Sequence, residues 1–234
     1  MKKVFLTLLM VVCTMSAMAI DLPKQGFGMQ IGFAAPTLRL NDKSLNPKDS
    51  LVNVTKLNGL KIGVVYDASY FAGFGSTLGI NYTFGTSSTK WTQKDLSHSI
   101  RNKTLYQEVE VYVDWQYKFE VAKETYLMLY TGPSIQCGIA FNKNTYVRDE
   151  VSKTIKETNK EFYTTDSADE LLKRVNVTWG IGAGFQYQRY FLRGGYDFGI
   201  INPYKNAQFE GTDRYTRGRL DQWSIKIGMY FLYK

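Results

Sequence analysis

The sequence predicts an all-β fold: an eight-stranded antiparallel up-and-down transmembrane β-barrel. Three observations predict it: an export signal at the N-terminus, segments in which apolar and polar residues alternate with period 2, and connections that alternate long and short.

Lys2 and Lys3 precede a run from Val4 to Val12 that is apolar except at Thr7, and Ala17-Met18-Ala19 places small residues at −3 and −1 of a cleavage site. That is the pattern of a secretory signal peptide. The run is too short to cross a bilayer as a helix, which needs roughly 20 apolar residues, and the valines before Cys13 do not suit a lipoprotein signal. The expected division is a signal peptide at 1–19 and an outer-membrane barrel at 20–234. Beyond the leader Cys137 is the remaining cysteine, so an intramolecular disulfide is not expected in spite of an oxidising destination. No later segment is apolar enough for a transmembrane helix. Seventeen Tyr, 14 Phe, four Trp and 20 Gly favour closely packed strands instead. The net charge of +8 resides mainly in polar connecting segments. Without a basic patch interleaved with aromatics, it argues for no nucleic-acid partner.

Each strand is read from its alternation. From Val175 to Tyr187, Val175, Val177, Trp179, Ile181, Ala183, Phe185 and Tyr187 share one face, against Asn176, Thr178, Gly180, Gly182, Gly184 and Gln186. The same separation marks Phe27 to Ala35, Leu60 to Asp67, Leu78 to Phe84, Val109 to Phe119 and Trp223 to Tyr233. Tyr126 to Phe141 and Phe191 to Ile201 alternate less regularly and complete the count. A helix would need apolar recurrence near 3.6, which these windows lack. Between them, long connections at 37–56, 85–104, 142–174 and 202–219 alternate with short turns at 70–73, 120–124 and 188–190. Outer-membrane barrels have short periplasmic turns and long external loops, and an even strand count leaves both termini periplasmic.

Volume decides which face points inward. An eight-stranded lumen is just wide enough to be filled by side chains, and the large residues of the apolar face would overfill it. The apolar face is therefore expected to meet lipid, with the glycines of the other face relieving crowding inside. Strand-end aromatics Tyr117, Tyr187, Trp223 and Tyr233 are the expected girdle at the membrane surfaces. Inside, the expected polar network comprises Lys61, Asp67, Glu108, Glu110, Asp114, Lys118, Arg193, Asp197 and Lys226. Glu110 and Lys226, at matched depths on opposed strands, are expected to pair across the lumen.

The chain resembles the outer-membrane β-barrel proteins of Bacteroidota called PorT-like, relatives in architecture of the OmpX and OmpA barrels. The residues that carry the resemblance are Gly180-Ile181-Gly182-Ala183-Gly184-Phe185, Arg193-Gly194-Gly195-Tyr196-Asp197-Phe198-Gly199, Tyr130-Thr131-Gly132-Pro133 and the alternating C-terminal strand. The resemblance implies insertion by the outer-membrane assembly machinery and, for some members, a role in secretion. The usual C-terminal aromatic is displaced by one residue here, in Tyr233-Lys234.

Both signs of charge in a narrow lumen suit a satisfied core better than a small-solute channel. Asp95, Ser97, His98 and Ser99 are the residues a lipid A-modifying enzyme would recruit, but one His among loop residues does not make a triad. No catalytic, cofactor-binding or metal site is therefore expected. The remaining class is surface interaction through the long loops, with outer-membrane lipid around the barrel and an extracellular or secretion-system protein as partner. In the longest loop, Ser167-Ala168-Asp169-Glu170 would cap a short helix.

Overall fold

The computed structural model describes residues 25–40, 57–70, 73–88, 90–93, 98–161, 163, 172–203 and 218–233. The alternating segments form β1 (Gln25–Leu40), β2 (Asn58–Ser69), β3 (Phe74–Ser88), β5 (His98–Ala122), β6 (Thr125–Asp149), β8 (Val175–Tyr187), β9 (Tyr190–Gly199) and β10 (Gly218–Tyr233), with shorter β4 (Thr92–Gln93) and β7 (Ile155–Glu161). Each of the eight long strands pairs antiparallel with its sequence neighbour among them. The first strand then meets the last, Ile31 standing opposite Ile227. The ring is closed, as the alternation predicts.

Closure fixes the two faces. One mid-strand residue from each wall strand, in order Ile31, Ile62, Ile80, Val111, Leu129, Ile181, Leu192 and Ile227, is 42–58 % exposed on the outside. Their sequence neighbours Lys61, Asn81, Glu110, Arg193 and Lys226 are buried in the lumen. Trp179 keeps its indole satisfied on the apolar face by donating to Thr131 Oγ1 at 2.8 Å. A closed barrel leaves no backbone edge to hydrocarbon, and this inverted polarity is that of a bacterial outer-membrane barrel.

The short turns are tight because single residues take the left-handed backbone they need: Glu124 (φ 57°), Gln188 (φ 52°) and Gly73 (φ 85°). The irregular window at Tyr126 to Phe141 has a local cause. Pro133 supplies no amide proton, and the β5–β6 ladder passes it from Tyr112↔Ser134 to Trp115↔Thr131 without a change of register. The alternation breaks instead at Ile139, where the register shifts between Gln107↔Ala140 and Glu108↔Gly138.

Three sequence expectations are corrected. The connection expected to begin at Asn142 is instead strand, since β6 runs to Asp149 and returns as β7, with Asn142 opposite Glu161 and Arg148 opposite Ile155. The connection expected at 85–104 is shortened from both sides, because β3 reaches Ser88 and β5 begins at His98, where β4 joins it. Above the barrel, β4, β5, β6 and β7 thus continue as a four-stranded sheet. Both of its faces are polar outside the membrane, so no alternation marked it. The third correction, the partner of Glu110, belongs to the lumen. The leader, Asp95, Ser97, Ser167 to Glu170 and the side chain of Tyr233 lie outside the described residues.

Adjacent residues on β8 test the inside–outside assignment. Ile181→Arg should lower unfolding stability in lipid vesicles by about 2–4 kcal/mol, because the charge enters the hydrocarbon layer. Gly182→Ala should lower it through a different clash, since a Cβ there would lie 2.3 Å from Tyr130 Cζ. Equal tolerance of both changes in urea titrations would reverse the faces.

Candidate functional site

The lumen is the densest polar site, and it is assembled from every wall strand because period 2 sends alternate residues inward. Glu110 on β5 is its centre. Its Oε2 accepts hydrogen bonds from Lys61 Nζ at 2.9 Å and Asn81 Nδ2 at 2.7 Å. Its Oε1 accepts from Gln136 at 3.4 Å and Ser134 at 3.5 Å. Lys61 and Glu110 are buried, so the pair is shielded from water. This replaces the expected Glu110–Lys226 pair. Lys61 arrives through the neighbouring β2–β3–β5 wall, whereas Lys226 Nζ stands 4.7 Å from the centre of the Tyr112 ring.

Two further ion pairs stack along the axis. Toward the short-turn end, Asp67 accepts from both Lys118 and Gln116, and Lys118 also donates to Gln186 at 3.0 Å. Between the two pairs, Arg193 donates to Asp114 at 2.7 Å, with its guanidinium 4.0 Å from the Tyr130 ring centre. Arg193 Nε and Nη1 make no hydrogen bond among the described residues, and stacking on the aromatic face is their compensation. Tyr130 reaches this place because Gly182 and Gly195 are beneath its ring. Toward the loop end, Glu108 accepts from Tyr106 and, with the Gln222 amide oriented to suit its neighbours, from Gln222 at 3.0 Å. Asp197 is half-buried, its carboxylate lying over Gly180.

Neutral residues connect these charges, and the sequence reading did not single them out. Gln30 donates to Asn81 at 2.6 Å and to the Tyr112 hydroxyl at 2.9 Å, and Asn176 donates to Gln136 at 2.8 Å. Their period-2 positions were legible; their choice of partners depends on cross-lumen geometry.

Apolar clusters border the polar stack. Val65, Met128, Phe191 and Tyr230 pack together toward the short-turn end, with the Phe191 and Tyr230 rings 4.7 Å apart. Leu38, Leu57, Tyr106, Phe141, Tyr163 and Leu172 pack toward the loop end. The cavity among the latter is about 20 Å³, room for one water and no larger solute.

Outside, Tyr117, Tyr187 and Trp223 are 37 %, 50 % and 46 % exposed on the apolar face. Phe74 rests edge-on against Tyr117, and Phe33 lies 5.3 Å from Trp223. Among the residues considered for catalysis, His98 stands opposite Asp149 and Ser99 opposite Arg148. Consecutive strand residues point to opposite faces, so His98 and Ser99 do not share a site. The Ser99 hydroxyl instead donates to Glu150 Oε1 at 2.5 Å. Glu150 also accepts from Arg148 at 2.6 Å and Lys153 at 3.1 Å. Led by the Ser99 hydrogen bond, these partners hold its carboxyl down at about 2.

Two measurements test this geometry. Lys61→Met should destabilise the barrel by about 3–5 kcal/mol, because Glu110 stays behind without its cation. A double-mutant cycle should give Lys61–Glu110 a coupling above about 1 kcal/mol and Lys226–Glu110 a smaller one. The reverse ranking would restore Lys226 as the partner. At the sheet tip, a carboxyl lowered on folding contributes stability that is complete above its ordinary value of 4.5 and is lost as pH falls through about 2. Carbon NMR of Glu150 should titrate near 2 and move up in Ser99→Ala; an ordinary midpoint in the unaltered chain would dissolve the bridge.

No protein-family model matches this chain, and no curated protein matches it. Among solved structures it is similar to Ail, the attachment invasion locus protein of Yersinia pestis, crystallised with the heparin analogue sucrose octasulfate. That match is 10 % identical, covers 89 % of this chain and 99 % of that one, and has a TM-score of 0.41. Neisserial surface protein A is 12 % identical over 89 % of this chain and 99 % of its own, with a TM-score of 0.38. The N-terminal β-barrel domain of Pseudomonas aeruginosa OprF is 12 % identical over 86 % and 97 %, with a TM-score of 0.29.

Proposed function

We propose that this chain is a structural outer-membrane barrel with a filled lumen, which engages a protein partner at the cell surface through the β4–β5–β6–β7 sheet. The observation that carries the reading is the continuation of β5 and β6 as paired strands above the barrel. Asn142 to Asp149 alone is roughly 25 Å of strand at the usual rise. A paired surface is already ordered before it binds, which lowers the entropic cost of association.

Its outward side carries the aromatic and arginine anchors that interfaces favour. Arg148 stacks 5.0 Å from the Trp91 ring centre, and Lys103 stands 5.5 Å from that of Tyr146. The packed lumen supports a role without solute conduction, and the opposed directions of His98 and Ser99 argue against a site built on that pair. The leader and the assembly machinery would deliver the chain to the membrane. A secretion-associated component of the PorT-like kind is the second reading. The residues behind that resemblance lie on β6, β8, β9 and β10, with Gly182 facing Gly195 between β8 and β9; the partner's identity separates the two readings.

Replacing 143–160 by a short turn should leave a folded, heat-modifiable barrel while abolishing cross-links to a surface partner in native outer membranes. The unaltered chain should give no solute-dependent swelling of liposomes. Unchanged cross-links after the replacement, or measurable swelling, would refute this assignment.

A further inference from the structure

The outward side of the sheet above the barrel carries opposite charges on opposite strands. The pairs Lys103↔Asn144 and Arg101↔Tyr146 join β5 to β6, and Tyr146↔Glu157 and Asn142↔Glu161 join β6 to β7. Paired residues share a face and residues two apart repeat it, so Arg101, Lys103, Tyr146, Glu157 and Glu161 all stand on one side. It is the side that meets lipid lower down, since the parity of β5 carries Lys103 on to the exposed Val111, Tyr117 and Phe119. The β5 half of this side is basic and the β7 half is acidic.

These charges are not neutralised by one another. With β6 between them, β5 and β7 lie two strand spacings apart, roughly 10 Å. Arg101 instead donates to the Ser88 hydroxyl at 3.2 Å, and Lys103 stands 5.5 Å from the Tyr146 ring centre. Glu157 accepts from the Asn144 amide at 2.9 Å, and Glu161 is exposed. Among the described residues none of the four has an ion-pair partner. Arg148, the third cation of this side, is already held by Glu150. Two cations on one half and two anions on the other therefore remain.

A surface divided in this way complements itself. Two chains inserted in one membrane share the same up–down orientation, so a twofold axis relating them stands along the membrane normal. Rotation about that axis keeps height and exchanges left with right. With the outward sides facing and the axis passing along β6, the basic half of each copy meets the acidic half of the other. A partner of uniform charge would be repelled by one half or the other. We infer that the sheet's partner is a second copy of this chain, with Arg101 and Lys103 of each against Glu157 and Glu161 of the other and Tyr146 beside the axis. Exposed ion pairs contribute little one by one and here fix the orientation, while a shared membrane plane lowers the entropic cost of meeting. The inference rests on the surface-partner reading and names that partner.

The test folds the full chain into lipid vesicles with a donor or an acceptor fluorophore in the turn at 120–124, and reads energy transfer between copies. The unaltered chain should dimerise, and raising the salt from about 0.05 M to about 0.5 M should weaken the dimer by screening. Arg101→Glu with Lys103→Glu, and separately Glu157→Lys with Glu161→Lys, should each weaken self-association by about tenfold or more, because like charges then face each other. Mixing the two variants should restore the dimer as a mixed pair, one copy acidic on both halves and the other basic on both. Loss of folding cannot imitate that recovery. Two folded, heat-modifiable variants that fail to associate on mixing would overturn the inference, as would self-association indifferent to either double change. A monomeric chain that still cross-links to a different protein through 143–160 would overturn it and leave the surface-partner reading intact; a chain that does neither would remove both.

Discussion

Hydrocarbon offers no partner to a backbone amide, so a strand inside a bilayer must have neighbours on both edges. The pairing of β1 with β10 meets that requirement for the first and last strands of the ring. Closing the ring at eight strands sets the width of the lumen, and that width decides what the interior can hold. Side chains pointing inward meet one another across the axis and exclude a continuous water column. The same closure puts isoleucine, valine and leucine of every wall strand against lipid.

A lumen of that width converts polar residues into a core. Lys61 with Glu110, Arg193 with Asp114, and Lys118 with Asp67 each place opposite charges in contact where water is scarce. Breaking one such pair leaves a buried charge, which costs more than the intact pair contributes. Glycine serves this core at specific points: Tyr112 crosses Gly79, and Tyr130 crosses Gly182, at distances no β-carbon would permit. The barrel is thus braced internally by ion pairs and tyrosines, in the way a soluble domain is braced by an apolar centre.

Above the membrane the constraint changes, because water returns to both faces. The β5–β6 ladder nevertheless continues to His98 and Asp149, with β4 and β7 at its sides. Cross-strand contacts such as Thr145 to Asn102 at 2.9 Å and Asn144 to Glu157 at 2.9 Å replace apolar burial there. Structure below the membrane surface is devoted to spanning; structure above it presents a defined polar surface, to which we assign the proposed binding role.

The barrel walls were legible from sequence because the bilayer imposes period 2: Val175 to Tyr187 separates into two faces with no exception, and the excess volume of one face assigns it to lipid. The outward positions of Tyr117, Tyr187 and Trp223 and the inward positions of Lys61, Glu110 and Arg193 follow from the same parity. Parity names a face and leaves a partner undetermined. Glu110 meets Lys61 because β2 and β5 flank β3, and Lys226 is drawn over Tyr112, choices made by distances across the lumen. Likewise, Thr145, Val147 and Thr158 carry no alternation because neither face of their sheet meets lipid, so that only the tertiary structure, by extending the β5–β6 ladder into water, decided that this segment is strand.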